Sequence, residues 1–279
     1  MVNVNGTLQE TTTIAINNRG FLVGDSLFET IKVVHNKVLF LEDHYFRLMA
    51  SMRICRMEIP MNFTMEFFEA EILKITQSYA NQTTFRVRFT VFRVPGGYYL
   101  PNENNIEFIV TCSELKNNIY TASNSDAYEI ELYKDAYVTK QLFSSLKTNN
   151  KMIHITGSIF ANENGYQNCL LLNNEKMVIE ALNANVFIII GNQLITPPVS
   201  DGCLNGIMRK QVLRMAKKIE DLEVVEKSIS PFDLQKADEL FLTNVITGIQ
   251  SVTKYRKKEF TTVFALELIK RLNAQIMLN

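Results

Sequence analysis

The chain contains little material for a metal centre or a hydrolytic triad. Its only histidines are His35, His44 and His154. Its four cysteines, which never form a Cys-x-x-Cys pair, are Cys55, Cys112, Cys169 and Cys203. Neither a zinc cluster nor a disulfide framework is indicated, because both need cysteines at characteristic spacings. We therefore expect no metal site, cysteines that behave as small buried hydrophobes, and an exposed His35 in a hairpin turn.

An excess of one charge and long apolar runs are also missing. The 29 lysine and arginine residues balance 29 aspartate and glutamate residues, so the formal net charge is zero. Nucleic-acid binding rests on clustered cations that meet phosphates, so we expect no nucleic-acid partner. No apolar run approaches the length of a membrane span, and residues 1–6 have neither a basic leader nor a signal-type apolar stretch. These features predict a cytoplasmic protein without a membrane partner.

The remaining composition suits an enzyme with two α+β domains. The chain has 279 residues, of which 47% are hydrophobic, and can bury ample core. A polar stretch divides it, which predicts an N-terminal α+β domain over residues 1–115, an interdomain connection over 116–127 and a C-terminal α+β domain over 128–279. The pattern of apolar and polar residues predicts a hairpin over residues 31–40 and helices over 42–57, 64–80, 207–219 and 261–277. It predicts strands over residues 85–91, 106–112, 169–172, 186–190 and 239–242.

Three separated segments carry residue types that suit pyridoxal phosphate. The cofactor needs an amine that binds it covalently, and the candidate is Lys147, because lysine becomes a nucleophile in a desolvated, cation-rich pocket. The cofactor ring attracts electrons while its nitrogen is protonated, which requires a carboxylate such as Glu180. The phosphate needs backbone N–H groups at a helix N-terminus and a bidentate cation. Gly206, which opens a helix, and Arg47 suit these two requirements.

Each of these residues alone has a more ordinary interpretation. A lysine chosen at random is usually a solvated surface residue. Glu180 could be a turn residue, and Asn205 with Gly206 could form an ordinary turn. Arg47 could be an exposed or snorkelling side chain. The order and spacing of the segments together favour the cofactor site over these alternatives.

The same segments resemble the class IV aminotransferases, the fold-type IV family of pyridoxal-phosphate enzymes. Residues 18–33 resemble the family's opening block, with its Arg-Gly-Phe, Gly-Asp-Gly and Phe-Glu-Thr-Ile-Arg motifs, and residues 41–48 resemble its phosphate-arginine helix. The match is nearly full length and continues through Lys147, Glu180 and residues 196–198, 206–209 and 238–244. The resemblance implies a two-domain fold like that of D-amino acid aminotransferase, with the cofactor site at the domain interface.

The resemblance also implies roles for individual residues. Lys147 would bind the cofactor covalently and shuttle protons, Glu180 would pair with the pyridine nitrogen, and Arg47 would contact the phosphate. The other phosphate contacts would be backbone N–H groups of Ile207, Met208 and Val245. Met208 stands where the family often has threonine, so one hydroxyl contact is expected to be missing. The implied substrate-binding residues are Phe28, Arg93, Ile246 and Thr247.

The resemblance implies a homodimer as well. In this family, loops of a partner subunit typically complete the substrate pocket. The apolar residues 21–23, which lie in an early loop, are the expected contact region.

The reaction is a harder inference, because a fold and a cofactor do not determine it. Residues 205–209 and the pair Thr243–Asn244 resemble 4-amino-4-deoxychorismate lyase more than the transaminases. Tyr98 argues against the lyase, since an arginine that holds the substrate carboxylates is expected there. Arg93 could substitute for that arginine, or could be a strand-end surface charge. The sequence favours the lyase, which releases pyruvate and forms 4-aminobenzoate for folate.

The alternatives are a branched-chain or D-amino acid aminotransferase. Met152 stands in the place of the tyrosine that is characteristic of the branched-chain enzymes. The Arg-x-His carboxylate trap of the D-specific enzymes is absent from the loop after Arg93. A cofactor-binding relative without catalytic activity is a minor alternative.

Overall fold

The chain divides into two compact units in its computed structural model. The structure describes residues 1–80, 82–122 and 127–278. The first unit comprises residues 1–118 and 147–150, and the second comprises residues 119–146 and 151–279. Within the predicted interdomain connection, residues 123–126 lie outside the described residues. The domain bounds inferred from the sequence stay a prediction.

A six-stranded antiparallel sheet forms the centre of the first unit. Its strands are β1 (Val2–Val4), β2 (Thr7–Gln9), β3 (Ser26–Val34), β4 (Lys37–Val38), β5 (Thr84–Arg93) and β6 (Ile106–Glu114), in the order β2-β1-β6-β5-β3-β4. The predicted hairpin is confirmed, because β3 and β4 pair across a two-residue turn. His35 and Asn36 form this turn with φ of 48° and 60°, a conformation that suits the twist of paired strands. His35 is exposed, as predicted.

Three helices accompany this sheet. They are α1 (Arg19–Leu22), α2 (Leu41–Ile54) and α3 (Met65–Thr76). Thr64 caps α3, because its hydroxyl accepts a hydrogen bond from the Phe67 N–H. The helix predicted over residues 42–57 ends at Ile54 instead, since Arg56 adopts a left-handed φ of 55° that does not continue a right-handed helix.

The two faces of this sheet differ in chemistry. The alternation predicted over residues 85–91 of β5 is confirmed, and the buried apolar side chains in this range are Phe85, Val87, Phe89 and Val91. Phe89 packs against Phe68 of α3 with ring centroids 4.8 Å apart. Successive side chains of a strand point to opposite faces. The face away from α3 therefore carries Phe28, Thr30, Lys32, Arg86 and Arg88, and it is basic.

The second unit contains a ten-stranded mixed sheet. Its strands are β7 (Glu129–Val138), β8 (Asn168–Asn173), β9 (Val178–Ala181), β10 (Ala184–Ile190), β11 (Gln193–Thr196), β12 (Glu223–Glu226), β13 (Glu239–Asn244), β14 (Gly248–Val252), β15 (Lys254–Tyr255) and β16 (Lys258–Glu259). The main order is β12-β11-β10-β9-β8-β7-β15-β16, and β13 pairs with β10 and β14 on a branch. The strands predicted around Leu170, Ile188 and Leu240 are confirmed, and these residues share one core.

Four helices of the second unit lie within the described residues. They are α4 (Met152–Glu163), α5 (Ile207–Ala216), α6 (Asp233–Lys236) and α7 (Val263–Leu278), with short 3₁₀ turns at Leu142–Ser145 and Val199–Asp201. The predicted helices over residues 207–219 and 261–277 are confirmed as α5 and α7. In the part of the chain that the structure describes, no helix has the length and apolar character of a membrane span.

The cysteines only partly match their expected environment. Cys169 and Cys203 are buried, as predicted. Cys55 and Cys112 are half-buried, so they are not the core residues that the sequence suggested. Cys55 follows the end of α2, and Cys112 lies near the end of β6.

Candidate active site

Lys147 lies in a short segment, residues 147–150, that belongs to the first unit and runs beside β3. The Phe28 N–H donates to the Lys147 carbonyl oxygen at 2.9 Å. The Asn149 amide donates to Ser26 Oγ at 2.7 Å. These contacts hold the segment against the strand, so the lysine side chain leaves from a fixed backbone. Its amine lies 4.5 Å from the centroid of the Phe28 ring.

A second cation, Arg88, shares the Phe28 ring with Lys147. Arg88 Cζ lies 3.6 Å from the ring centroid, within cation–π distance, and Nη2 donates to Asn149 Oδ1 at 2.6 Å. Burial lowers the pKa of Arg88, and the charge of Arg86 lowers it further, but a guanidinium stays charged in proteins. Two cations thus converge on one aromatic ring and attract anions. The sequence analysis missed Arg88, whose only signal is a cation between apolar residues of β5.

Arg47 is held by a buried carboxylate. Its Nε donates to Glu29 Oε1 at 2.8 Å, and its Nη2 donates to Glu29 Oε2 at 2.5 Å. Burial by itself raises the pKa of Glu29, but the charge of Arg47 and hydrogen bonds from His44 and Arg47 outweigh this and lower the pKa to about 2. The interpretation of Arg47 as an exposed side chain is wrong, since that side chain is only 12% exposed.

His44 binds the same carboxylate. Its Nδ1 lies 2.7 Å from Glu29 Oε2. Burial lowers the pKa of His44, the hydrogen bond to Glu29 opposes this shift, and the charges of Arg47 and Lys147 add to it. The ring is therefore neutral near pH 7 and donates through Nδ1 to an ionised Glu29.

Glu180 is a buried strand residue of the second unit. It lies in β9 with its side chain 7% exposed, so its interpretation as a turn residue is wrong. Its Oε2 accepts a hydrogen bond from the Leu204 N–H at 2.8 Å, and His154 Nε2 lies 3.3 Å from its Oε1. Burial lowers the pKa of Lys151, and the nearby charge of Glu180 opposes this shift. A carboxylate has room for about four hydrogen bonds, so Glu180 keeps capacity for a further donor.

The N-terminus of α5 lies close to Glu180. Gly206 precedes Ile207, and a Cβ at this glycine would overlap the side-chain amide of Asn185, so a larger residue would fit only if Asn185 moved. Asn185 is in turn the partner of Glu180 across β9 and β10. The first N–H groups of a helix have no partner within it and attract anions. Ile207 and Met208 therefore present anion-binding groups near a buried carboxylate, within the second unit.

Val245, Ile246 and Thr247 lie in the turn between β13 and β14. Asn244 Oδ1 accepts hydrogen bonds from the Ile246 N–H at 3.0 Å and the Thr247 N–H at 2.8 Å. The Val245 carbonyl accepts a hydrogen bond from the Tyr120 hydroxyl at 2.7 Å. Asn244 shapes the turn that carries the three residues, which gives this lyase-like residue a local structural role.

Arg93 has a structural environment. Its side chain is 7% exposed, so its interpretation as a surface charge is wrong. Nε donates to Asp25 Oδ2 at 2.9 Å, Nη2 donates to the Cys55 carbonyl at 2.8 Å, and Nη1 donates to Asn104 Oδ1 at 2.6 Å. These contacts engage the Nε, Nη1 and Nη2 groups of Arg93 inside the first unit, which is a structural role and not that of a substrate ligand. Tyr98, where an arginine was expected, is 92% exposed.

Apart from Arg93, the predicted site residues fall into two groups. The first unit contains Lys147, Arg47 and Phe28. The second unit contains Glu180, Ile207, Met208, Val245, Ile246 and Thr247. Each group fits parts of pyridoxal phosphate: the first supplies the amine and a cation, and the second supplies a buried carboxylate and a helix N-terminus. The sequence analysis did not identify Glu29, His44, Arg88 or His154, because their roles depend on contacts between distant positions.

Curated relatives agree with this chemistry. Residues 26–255 match the family model for amino-transferase class IV. A putative branched-chain-amino-acid aminotransferase of Methanocaldococcus jannaschii is 27% identical over 93% of this chain and 88% of that protein. A D-alanine aminotransferase of Listeria monocytogenes is 26% identical over 91% of this chain and 86% of that protein.

Solved structures share the fold. The structure of a putative 4-amino-4-deoxychorismate lyase of Legionella pneumophila aligns with a TM-score of 0.80 and 26% identity, over 95% of this chain and 97% of that chain. The α+β, fold-type IV architecture expected from the sequence is confirmed. The match of most of the chain to one family model also confirms the expected cofactor. The chain belongs to the class IV aminotransferases, a family of pyridoxal-phosphate-dependent enzymes.

Proposed function

We propose that three kinds of group hold the pyridoxal phosphate. Lys147 makes the covalent link, and Glu180 faces the pyridine nitrogen. The phosphate is bound by Arg47 and by the backbone N–H groups of Ile207, Met208 and Val245. The support is the chemistry of each group: an amine among cations, a buried carboxylate and a helix N-terminus. When bound, the cofactor withdraws electrons from the substrate carbon that carries the amine.

Residues of the chain transfer the proton, stabilise the charge and orient the phosphate contact. Lys147 Nζ accepts the proton of that substrate carbon and returns it, as a general base and acid. Glu180 keeps a proton on the ring nitrogen by its negative charge. Glu29 orients Arg47 through two hydrogen bonds, so the guanidinium meets the phosphate in one direction.

We propose further that the reaction is the release of pyruvate from 4-amino-4-deoxychorismate, which leaves 4-aminobenzoate for folate. The observation that carries this proposal is the basic face of the first unit's sheet. Arg88 and Lys147 share the Phe28 ring, and Lys32 lies on the same face. Burial lowers the pKa of Lys32 to about 8, so its amine is mostly charged at neutral pH. A substrate with two carboxylates suits a face with several cations.

Sequence similarity supports the same reaction. Residues 205–209 resemble the phosphate segment of the lyase, and the Legionella lyase aligns over 97% of its chain. An aminotransferase is the second candidate, favoured by the names of the two curated relatives. A transaminase that uses 2-oxoglutarate also binds two carboxylates, so the substrate assay must separate the two reactions.

With aminodeoxychorismate as substrate, the protein is expected to release pyruvate at a higher kcat/KM than it transaminates L-leucine or D-alanine. Pyruvate is measured by coupled reduction, 4-aminobenzoate by its fluorescence, and transamination by glutamate formed from 2-oxoglutarate. Faster transamination of L-leucine or D-alanine would make the protein an aminotransferase. A bound cofactor without turnover of any amine would make it a non-catalytic relative.

A pair of variants sharpens this assay. Arg88→Ala is expected to lower kcat/KM for aminodeoxychorismate roughly 10- to 100-fold, because it removes a charge-assisted contact to a carboxylate. Arg86→Ala is the matched control, since Arg86 lies on the same strand and face but is exposed. If the two substitutions lower kcat/KM equally, the loss of kcat/KM is an effect of net charge, and a binding role for Arg88 is contradicted.

We propose that the protein works as a homodimer. Phe21 and Leu22 of α1 are 68% and 59% exposed, and Val23 is 45% exposed. Covering such apolar surface favours association. Light scattering is expected to give twice the 32.0 kDa mass of the chain. Leu22→Glu is expected to shift the protein towards monomer, whereas the control Met61→Glu, at a fully exposed position, leaves it dimeric. A fully active monomer would rule out the proposal.

A further inference from the structure

His154 contacts the carboxylate that we assign to the ring nitrogen. It lies in the first turn of α4, and its Nε2 is 3.3 Å from Glu180 Oε1. Its side chain is 20% exposed, against 7% for Glu180. The other oxygen of Glu180 accepts a hydrogen bond from the Leu204 N–H at 2.8 Å. The two oxygens are therefore held by two separate parts of the second unit, α4 and the segment that leads into α5.

We propose that His154 is a positioning residue, which donates through Nε2–H to Glu180 and fixes the direction in which this carboxylate meets the cofactor's ring nitrogen. The inference rests on the proposed role of Glu180. The terminal torsion of a glutamate side chain is broad, so a carboxylate held at one oxygen can rotate. A carboxylate held at both oxygens has its plane fixed before the cofactor binds, which is the requirement for a preorganised site.

The second ring nitrogen of His154 indicates which tautomer is present. Nδ1 is buried and has no hydrogen-bond partner among the described residues. A neutral ring with its hydrogen on Nε2 places only an acceptor at Nδ1. A protonated ring would instead bury an unpaired, charged N–H group, which costs more free energy. In the tautomer that carries hydrogen on Nε2, His154 supplies Glu180 with a hydrogen-bond donor.

Two other titratable groups lie near Glu180. Lys151 precedes α4, and the charge of Glu180 opposes the lowering of its pKa by burial. Burial raises the pKa of Cys203 to about 12, and the charge of Glu180 adds to this, so the thiol stays protonated. The charge of Glu180 affects the pKa of both groups. His154 makes a hydrogen bond to it, and a hydrogen bond sets direction as well as charge.

Three substitutions separate a donor role from a packing role. His154→Gln keeps an amide N–H at about the reach of Nε2, His154→Asn carries a shorter amide, and His154→Leu has no donor. The readouts are the cofactor dissociation constant, from absorbance titration, and the pH at which the visible band of the bound cofactor titrates. Neither readout depends on turnover.

The Asn and Leu variants are expected to weaken cofactor binding roughly tenfold and to raise the titration midpoint by about one pH unit, which corresponds to the loss of one hydrogen bond to a charged group. The midpoint is expected to rise because a Glu180 carboxylate without a fixed direction would hold the proton of the ring nitrogen less well, and the nitrogen of Lys147 would then keep its proton to higher pH. The Gln variant is expected to stay near the wild-type values. His35→Leu, in the exposed hairpin turn, is the control and is expected to change neither.

The outcomes distinguish this inference from the proposed function. The inference is overturned if the Asn and Leu variants keep the wild-type cofactor dissociation constant and titration midpoint. It is also overturned if His154→Gln changes these two quantities as much as His154→Asn does. If the Leu variant does not fold, the comparison of Gln with Asn decides alone. His154→Leu added to Glu180→Gln is expected to have little further effect, because the two residues act through one contact. If Glu180→Gln itself binds cofactor normally and turns over normally, the proposed function has failed, and not only the role of His154.

Discussion

Replacing Lys147 with alanine is expected to abolish the covalent link to pyridoxal phosphate and to reduce turnover below detection. The ε-amine is the proposed nucleophile and the proposed carrier of the substrate proton. Loss of general acid–base catalysis alone removes roughly two to four orders of magnitude in rate. The fold should survive, because the segment is held by its backbone carbonyl and by Asn149, neither of which changes. Far-ultraviolet circular dichroism checks this.

Borohydride reduction followed by peptide mass analysis measures the covalent link. The wild-type protein is expected to carry the reduced adduct on Lys147. The control is Lys151→Ala, which removes another, half-buried lysine four positions further along the chain. It is expected to keep the adduct on Lys147. An adduct on a different lysine in Lys147→Ala, or loss of the adduct only in Lys151→Ala, would show that the nucleophile has been misassigned.

Replacing Glu180 with glutamine is expected to slow turnover by roughly 10²- to 10³-fold, because it removes a negative charge that stabilises the protonated ring as charge develops during reaction. The cofactor should still bind, since the covalent link and the phosphate contacts remain. The substitution also keeps an oxygen that can accept the hydrogen bonds now made by the Leu204 N–H and His154. The expected loss of cofactor affinity is about tenfold, as for the His154 variants, and is therefore smaller than the expected loss of kcat.

Single-turnover absorbance measurements separate this effect from substrate binding. The rate of the spectral change after mixing with substrate is expected to fall, while the KM changes little. Glu163→Gln is the matched control, because it makes the same chemical change at the exposed end of α4. It is expected to behave like the wild-type protein. Unchanged turnover in Glu180→Gln would remove Glu180 from the mechanism.

Local patterns in the sequence determined many of the elements. Apolar periodicity predicted α3, and alternation predicted β5, because burial repeats at 3.6 residues in a helix and at two in a strand. The ends of the helices were less well predicted. The end of α2 depends on the left-handed conformation of Arg56, which periodicity does not encode.

The sequence also determined the family and the main candidate residues. Lys147, Glu180 and Gly206 could be selected because their order and spacing matched one known arrangement, and the match of residues 26–255 to the class IV model confirms that family. These residue types, taken with their order and spacing, were sufficient for the cofactor. They were insufficient for the reaction, because Asn244, which resembles the lyase, serves a local turn in this structure.

Only the tertiary structure decided which side chains meet. Arg88 lies over Phe28 because β3 and β5 pair in one register, and a shift of one residue would place it on the other face. Arg93 has a structural role because its guanidinium donates a hydrogen bond to the Cys55 carbonyl oxygen at the end of α2. His154 meets Glu180 across 26 positions. A buried polar group takes its partner from whatever packs against it in space, so its role cannot be read from its neighbours along the chain.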